Sequence, residues 1–194
     1  MNIVIITPET LVEHELATCN QILELPIRLH VRKPHSSKDD LRQYLDQIDP
    51  EFHKKLSLHQ HHDLMEAYPN VGLHWKSHQK VNQSASLRSK SFHSIEEINE
   101  EDAKLDYAFL SPIFNSISKQ GYKAAFDVSI LGEALNMKHP FPIYALGGID
   151  WNNFKQAQEM GFAGFAMLGA FWNMNDNERR FKLLKQITHG NSKR

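Results

Sequence analysis

Two glycines between an apolar run and a helical pattern form the stretch of this sequence best suited to binding an anion. Residues 143–146 are predicted to form a short buried strand, after which Gly147 and Gly148 allow a tight turn. Asp150 is predicted to cap a helix that starts near Trp151. The N–H groups and dipole of a helix N-terminus favour negative charge, so the stretch could form an anion site. A glycine turn without a ligand is the alternative.

Histidine is frequent, with 12 in 194 residues. His59 and His61 share one face of an extended segment, and His74 and His78 could converge on them. Neutral imidazoles bind zinc well. Asp63 is the only carboxylate close by in sequence, however, and the spacing matches no regular ligand pattern. We therefore predict histidines at a polar mouth or on the surface and no metal site.

A second group of residues has the chemistry to hold phosphate oxygens. Arg32 can bind a phosphate through two parallel hydrogen bonds, whereas Lys119 acts as a mobile point charge. Ser116 and Ser118 add two hydroxyls to the loop that carries Lys119. The alternative is a polar loop exposed to solvent.

The elements that must position these residues alternate between strand and helix along the whole chain. Strands are predicted at residues 2–7, 27–31, 54–58, 71–75, 88–92, 107–110, 143–146 and 164–168, with helical patterns between most of them. This order predicts an α/β protein with a parallel sheet, and about eight strands indicate a single-domain (β/α)8 TIM barrel over residues 1–188 with a polar tail at 189–194. An open doubly wound sheet is the rival, but no Gly-x-Gly-x-x-Gly follows the first strand.

Composition excludes several classes of protein. The net charge of −1 gives no case for binding nucleic acid or a membrane surface, and no apolar stretch approaches the length of a membrane span. Cys19 is the single cysteine, which rules out an internal disulfide and fits a reducing compartment. We expect a cytoplasmic protein with small-molecule ligands and no nucleic-acid or membrane partner.

In a barrel the functional site lies where the strands end at their carboxyl side. That rule selects the following residues, in strand order: His30, Arg32, His59, Gln60, His61, His74, Lys76, His78, Ser91, His93, Ser111 to Lys119 (with Ser116 and Ser118), Gly147, Gly148, Leu168, Gly169 and Ala170. Phosphate sites after the seventh and eighth strands recur in such barrels, which favours a phosphorylated ligand.

Three sequence blocks carry a family resemblance. They are Pro112-Ile-Phe-Asn-Ser-Ile-Ser-Lys119, Pro142-Ile-Tyr-Ala-Leu-Gly-Gly-Ile149 and Gly161-Phe-Ala-Gly-Phe-Ala-Met-Leu-Gly169. In order and spacing they resemble the thiamine phosphate synthase/TenI family. The resemblance implies a (β/α)8 barrel and a transferase of thiamine biosynthesis, which couples hydroxymethylpyrimidine pyrophosphate to thiazole phosphate and releases pyrophosphate.

The resemblance also implies roles for single residues. Arg32 and Lys119 would hold the pyrophosphate, and Ser91 would lie near the pyrimidine. Ser116 and Ser118 replace a threonine pair of the synthase loop. Gly148 and the turn at Leu168 and Gly169 would bind the thiazole phosphate through backbone N–H groups.

Two departures from the synthase pattern concern the metal and a cation. Synthases use Mg2+ held by carboxylates, but His59, Gln60 and His61 stand where an Asn-Asp pair is usual, and nitrogen donors suit Mg2+ poorly. Synthases also carry Gln-x-Arg-x-Lys after the second strand, whereas here Lys33 follows Arg32 directly. Mg2+ is therefore expected only if the chain is a synthase, and no cofactor otherwise.

Two alternative functions stay open. A TenI-like thiazole tautomerase needs no metal and uses a histidine as acid and base, but that histidine would fall at Pro112. His30, His59, His61 or His93 could substitute, because an imidazole suits proton transfer near neutral pH. The second alternative is a non-catalytic binder of thiazole phosphate or thiamine phosphate. In each case the partners are phosphorylated thiazole and pyrimidine compounds, with a homo-oligomer possible.

Overall fold

The computed structural model of the chain describes residues 1–114 and 128–190. Eight parallel strands pair in sequence order, and the last pairs with the first to close a barrel. The strands are β1 (Asn2–Ile6), β2 (Ile27–Val31), β3 (Leu56–Leu58), β4 (Gly72–Trp75), β5 (Arg88–Phe92), β6 (Tyr107–Leu110), β7 (Ile143–Ala145) and β8 (Gly164–Met167). The predicted (β/α)8 barrel is therefore confirmed, and the open sheet is wrong.

Helices connect most of the strands along the outside of the barrel. They are α1 (Glu15–Leu23), α2 (Lys38–Asp46), α3 (Ile95–Asn99), α4 (Val128–Asn136), α5 (Phe154–Glu159), α6 (Gly169–Trp172) and α7 (Asn177–Gly190), with 3-10 helices at Pro50–Lys55 and His62–Glu66. Helix α7 includes the first two residues of the predicted tail, 189 and 190, and residues 191–194 lie outside the described part. Among the described residues, no helix is long and apolar enough to cross a bilayer.

Two hydrophobic clusters follow from the alternation of side chains along each strand. The larger lies between the strands and the helices and includes Ile3, Ile5 and Leu29. The smaller one fills the barrel interior and is built from Val4, Ile6, Tyr107, Phe109, Tyr144 and Ala166. The interior cluster draws on β1, β6, β7 and β8 only, which leaves the inward positions of β2 to β5 for polar side chains.

Several predicted boundaries were wrong. The spacing of apolar residues over 11–23 predicts a helix from residue 11, but α1 begins at Glu15, because His14 takes a left-handed backbone with φ of 58° that interrupts a helix. Strand β3 begins at Leu56, since Pro50 starts a 3-10 helix that uses the residues before it. The regular part of helix α5 begins at Phe154, three residues after the predicted start, but Asp150 does cap the turn before it. Its carboxylate accepts hydrogen bonds from the N–H groups of Asn152 and Asn153.

A buried ion pair joins the start of α1 to the loop that follows β2. The Lys33 ammonium lies 2.8 Å from the Glu15 carboxylate and also donates to the carbonyl oxygens of Pro8 and Thr10. The carboxylate accepts further hydrogen bonds from the Val12 N–H and the Tyr44 hydroxyl. Both charges are therefore fully partnered inside the protein, which is the condition under which burying a charge is tolerated.

We expect Glu15→Gln to destabilise the fold by about 3–5 kcal/mol, because it leaves the Lys33 ammonium buried without a counter-charge. The double variant Glu15→Gln/Lys33→Met removes both charges and should recover most of this loss. Urea unfolding of the single and double variants measures the difference. Equal stabilities for wild type and Glu15→Gln would contradict the role of the pair.

Candidate active site at the barrel mouth

The polar part of the barrel interior is defined by a contact across the barrel. His30 of β2 hydrogen-bonds through Nε2 to the hydroxyl of Tyr107 on β6, a strand that is not its neighbour. Side chains of strands that do not pair can meet in this way only inside the barrel. His30 and Tyr107 are both almost fully buried, so their polar atoms depend on partners in the protein.

Three imidazoles meet on this side of the interior. His30 Nδ1 lies 2.9 Å from His59 Nε2, and the rings of His59 and His74 have centroids 4.2 Å apart. One nitrogen from each ring falls within 4.8 Å of the others. His30 and His74 are buried in β2 and β4, while His59 follows the end of β3 and is partly exposed. Three adjacent strands thus place three nitrogen donors at one point below the mouth.

Two serines of β5 hold the ring of His74. Its Nδ1 lies 2.8 Å from Ser89 Oγ, and its Nε2 lies 2.8 Å from Ser91 Oγ. Ser89 Oγ also donates to the carbonyl oxygen of Leu73 at 3.4 Å. With its only proton used there, Ser89 Oγ must accept from Nδ1–H, so Nε2 of His74 carries the lone pair. Ser91 was predicted to contact the pyrimidine, and it lies beside this nitrogen.

Burial keeps these imidazoles neutral. It lowers the pKa of His74 to about 3, with a smaller contribution from the charge of His62. Burial also holds the pKa of His30 and of His59 well below the usual value, and repulsion from His74 adds to this in both. All three rings therefore present lone pairs at neutral pH, and acting as a general acid would require a proton that burial disfavours.

The other candidate histidines do not join this cluster. His61 Nε2 lies 3.0 Å from the carbonyl oxygen of Ser36, and His93 Nδ1 lies 3.0 Å from that of Ser111. His78 is exposed. The expectation of mouth or surface positions was wrong for His30 and for His74, which is an inward residue of β4 and not part of the loop that follows it.

Arg32 lies at the mouth but is already paired. Its guanidinium donates to the Glu9 carboxylate at 2.6 Å, and its backbone N–H donates to the Thr7 hydroxyl. One third of the Arg32 side chain is exposed, 33%, so a ligand can still approach it. Lys33 is buried in the pair with Glu15, and its ammonium cannot reach a ligand at the mouth without breaking that pair.

The turn after β7 has the backbone that its glycines predict. Gly147 and Gly148 have φ of 89° and 70°, in the left-handed region that favours glycine. A Cβ at position 147 would come within 2.8 Å of the Pro112 Cα. The carbonyl oxygens of Leu146 and Gly147 accept hydrogen bonds from the N–H groups of Ile113 and Phe114. This turn and the start of the loop after β6 are therefore packed directly against each other.

The segment after β8 is hydrogen-bonded to the end of β1 and to the segment that follows β7. The indole of Trp172 donates to the carbonyl oxygen of Ile6 at 2.7 Å, and that of Trp151 donates to Ala170 at 2.8 Å. Among the described residues, none accepts a hydrogen bond from the backbone N–H of Gly148, Gly169 or Ala170. The turns after β7 and β8 thus offer N–H donors at the same end of the barrel.

Three predicted site residues cannot be placed, and two residues of the polar interior were not predicted. Ser116, Ser118 and Lys119 lie outside the described residues. Tyr107 and Ser89 were not singled out, although each occupies an inward position of its strand. Every second side chain of a barrel strand points inward. Applying this alternation to β5 and β6 would have identified both residues.

Comparison with known proteins places this barrel in a family. A model of the family described as "Thiamine monophosphate synthase" matches residues 3–171. This chain belongs to that family. The match covers all eight strands and both glycine turns, so it agrees with the resemblance found in the sequence.

Relatives and solved structures support the same assignment. The thiamine-phosphate synthase of Pediococcus pentosaceus is 31% identical over 50% of this chain and 44% of that protein. The thiamine-phosphate synthase of Latilactobacillus sakei is 29% identical over 58% of this chain and 50% of that protein. This chain therefore matches about half the length of each relative. A crystal structure of thiamine phosphate pyrophosphorylase from Bacteroides thetaiotaomicron aligns with a TM-score of 0.82 and 27% identity over 97% of this chain and 98% of that one. The Pyrococcus furiosus thiamine phosphate pyrophosphorylase shares the fold, with a TM-score of 0.76 and 16% identity over 97% and 96% of the two chains.

The donor set at the mouth does not fit Mg2+, which prefers an octahedral shell of oxygen atoms. Among the described residues, the group able to hold a metal ion contains only imidazole nitrogens. The Asp63 carboxylate is bound to the Lys38 ammonium, and that of Glu9 to Arg32. Gln60 Oε1 is a buried oxygen without a partner among these residues, but one amide oxygen is far from an octahedral set.

Gly147→Ala should destabilise the protein by about 2–4 kcal/mol, because a left-handed alanine is strained and its Cβ would overlap Pro112. Gly132→Ala in α4 is the matched control: a Cβ there has no neighbour within 4 Å. Alanine at that helical position should be neutral or stabilising by up to about 1 kcal/mol. Chemical denaturation compares the two, and similar stabilities would contradict the tight packing at Gly147.

In buffer with a chelator, stability should fall as the pH drops below about 6.5, because unfolded imidazoles bind protons there while the folded ones stay neutral. The stabilisation is complete above that pH and decreases towards the folded pKa, which for His74 is about 3. Replacing one imidazole, as in His59→Gln, should reduce the loss between pH 7.5 and 5.5 by about 1 kcal/mol. Urea unfolding at both pH values is the measurement, with the exposed His78→Gln as control. An unchanged pH dependence in His59→Gln would contradict a neutral folded imidazole.

Proposed function

We propose that this protein is a transferase of thiamine biosynthesis, which joins hydroxymethylpyrimidine pyrophosphate to thiazole phosphate and releases pyrophosphate. The observation that carries the proposal is the pair of turns after β7 and β8, within a chain that matches the family from residue 3 to 171. Backbone donors at the end of a barrel after these two strands suit a phosphate group. The thiazole phosphate would lie there, against Gly148 and the turn at Leu168 and Gly169.

The coupling reaction needs charge stabilisation more than proton transfer. The bond between the pyrimidine methylene carbon and the pyrophosphate oxygen breaks, and pyrophosphate leaves with the electron pair. The lone pair of the thiazole nitrogen then forms the new C–N bond to the pyrimidine cation. Cationic side chains near the departing oxygens stabilise the negative charge that develops on them. Arg32, which is partly exposed at the mouth, and Lys119 would have this role.

The imidazoles fit this chemistry as neutral groups beside the pyrimidine. Ser91, expected near that ring, hydrogen-bonds to His74 and could donate to a substrate instead. Isomerisation of a thiazole ring would need one imidazole to exchange protons. The low pKa of His30, His59 and His74 gives no support to that alternative. No specific observation favours a non-catalytic binder, and the assay below distinguishes all three functions.

The test is a coupling assay with the purified chain, both substrates, and Mg2+ or a chelator, beside an active synthase as control. Equal amounts of thiamine phosphate and pyrophosphate are expected. Ring isomerisation without coupling would identify a tautomerase. Thermal stabilisation by thiazole phosphate with neither turnover would identify a binder.

Arg32→Gln tests the cationic half of the site within the same assay. Losing a charged hydrogen bond to pyrophosphate should lower kcat/KM about 10- to 100-fold. Arg42→Gln removes an exposed arginine from α2, outside the barrel, and should retain wild-type kcat/KM. Equal values for the two variants would show that Arg32 does not contact the pyrophosphate.

A further inference from the structure

The nitrogen cluster inside the barrel has the composition of a metal site and not of an acid–base pair. His30, His59 and His74 come from β2, β3 and β4, and the three facing nitrogens lie within 4.8 Å of one another. Three histidine side chains are a recurrent ligand set for Zn2+ in enzymes. The fourth coordination position of the ion is then occupied by water or substrate. Their positions on or directly after barrel strands make the set rigid.

The nitrogen that each ring can offer follows from its other hydrogen bonds. His30 Nδ1 faces His59 Nε2 at 2.9 Å, while its Nε2 is directed at the Tyr107 hydroxyl. His74 bonds Ser89 through Nδ1–H, and the lone pair of its Nε2 faces the Ser91 hydroxyl at 2.8 Å, a contact that a bound ion would replace. Two of the three rings therefore already have an outer partner on the nitrogen that would face away from an ion.

Outer partners of this kind are what metal-binding imidazoles require. A ligating histidine usually donates its second N–H to an oxygen, which fixes the ring orientation and the tautomer. Tyr107 and Ser89 supply these oxygens, and both are buried.

The spacing is close to that of a bound ion. Bonds of about 2.0–2.1 Å in a tetrahedral site separate ligand nitrogens by about 3.3 Å. The nitrogens of His30 and His59 are slightly closer than this, and those of the whole set are within 4.8 Å. Shifts of little more than about 1 Å would bring all three to bonding distance.

We propose that His30, His59 and His74 bind one divalent first-row transition metal ion, Zn2+ in particular, inside the barrel mouth. Nitrogen donors favour such ions over Mg2+. The site thus replaces the oxygen shell that the resemblance leads one to expect with an imidazole shell, formed by strands on the same side of the barrel as Arg32. The proposal concerns binding of the ion and holds whichever reaction the protein catalyses.

The test uses protein stripped with a chelator and titrated with Co2+, whose visible absorption reports a tetrahedral nitrogen site. One ion per chain is expected, with the absorption lost on addition of Zn2+ and retained in excess Mg2+. His59→Gln removes a partly exposed ligand and should raise the Kd for Zn2+ by more than about 100-fold, beyond the loss typical of an outer-shell partner. His78→Gln, an exposed histidine after β4, should bind as wild type.

A second variant separates the metal site from the fold. Tyr107→Phe keeps the ring and removes only the hydroxyl that orients His30, so it should weaken Zn2+ binding by about 10-fold. Tyr68→Phe removes a hydroxyl that donates to Asp46 outside the barrel and should have no effect on Zn2+ binding. Circular dichroism of each variant verifies folding. If the stripped chain binds neither ion, or if His59→Gln and Tyr107→Phe bind Zn2+ with wild-type affinity, the cluster is a hydrogen-bonded network and the proposal is wrong.

Discussion

The constraint on which the interior depends is that every polar group buried inside the barrel must find its partner there. Eight parallel strands turn every second side chain inwards, away from solvent and from the outer helices. Val4, Ile6 and Ala166 meet this condition simply by being apolar. On the other side His30 and His74 meet it by bonding to Tyr107 and the serines of β5. An unpartnered group at any of these positions costs about 1–3 kcal/mol, so the ring positions are closely determined by one another.

The outline of the fold could be predicted from the sequence because it depends on local patterns. Apolar runs at regular intervals, separated by helical patterns and turns, are enough to indicate a parallel barrel. The turn at Gly147 and Gly148 could be predicted for a similar reason, since glycine is the residue that takes a positive φ without strain. The start of α1 could not, because it depends on the backbone of His14 and on a carboxylate committed to Lys33 from a distant loop.

The site was harder to predict because barrel closure creates its contacts. His30 and Tyr107 are 77 residues apart, and they meet only when β2 and β6 face each other across the interior. All four residues of β4 are buried, so the sequence pattern does not indicate which side chains point into the barrel. His74 was therefore grouped with the loop residues that follow the strand. Assigning alternate residues of β2, β4 and β5 to the barrel interior would have predicted that His30, His74 and Ser91 lie close together. The distances between their side chains depend on the register between the strands, which the sequence pattern does not give. The positions of the turns after β7 and β8 required only the strand order, which is why the sequence predicted that they lie at this end of the barrel.

The close packing of Gly147 on Pro112 has a consequence for how sequences of this family can diverge. A side chain at position 147 would occupy the space taken by the Pro112 backbone. The next two residues, Ile113 and Phe114, are hydrogen-bonded to the same turn. A substitution at position 147 is therefore acceptable only if the segment at 112–114 shifts with it. We therefore expect substitutions in the two segments to be coupled, although they lie more than 30 positions apart in the chain.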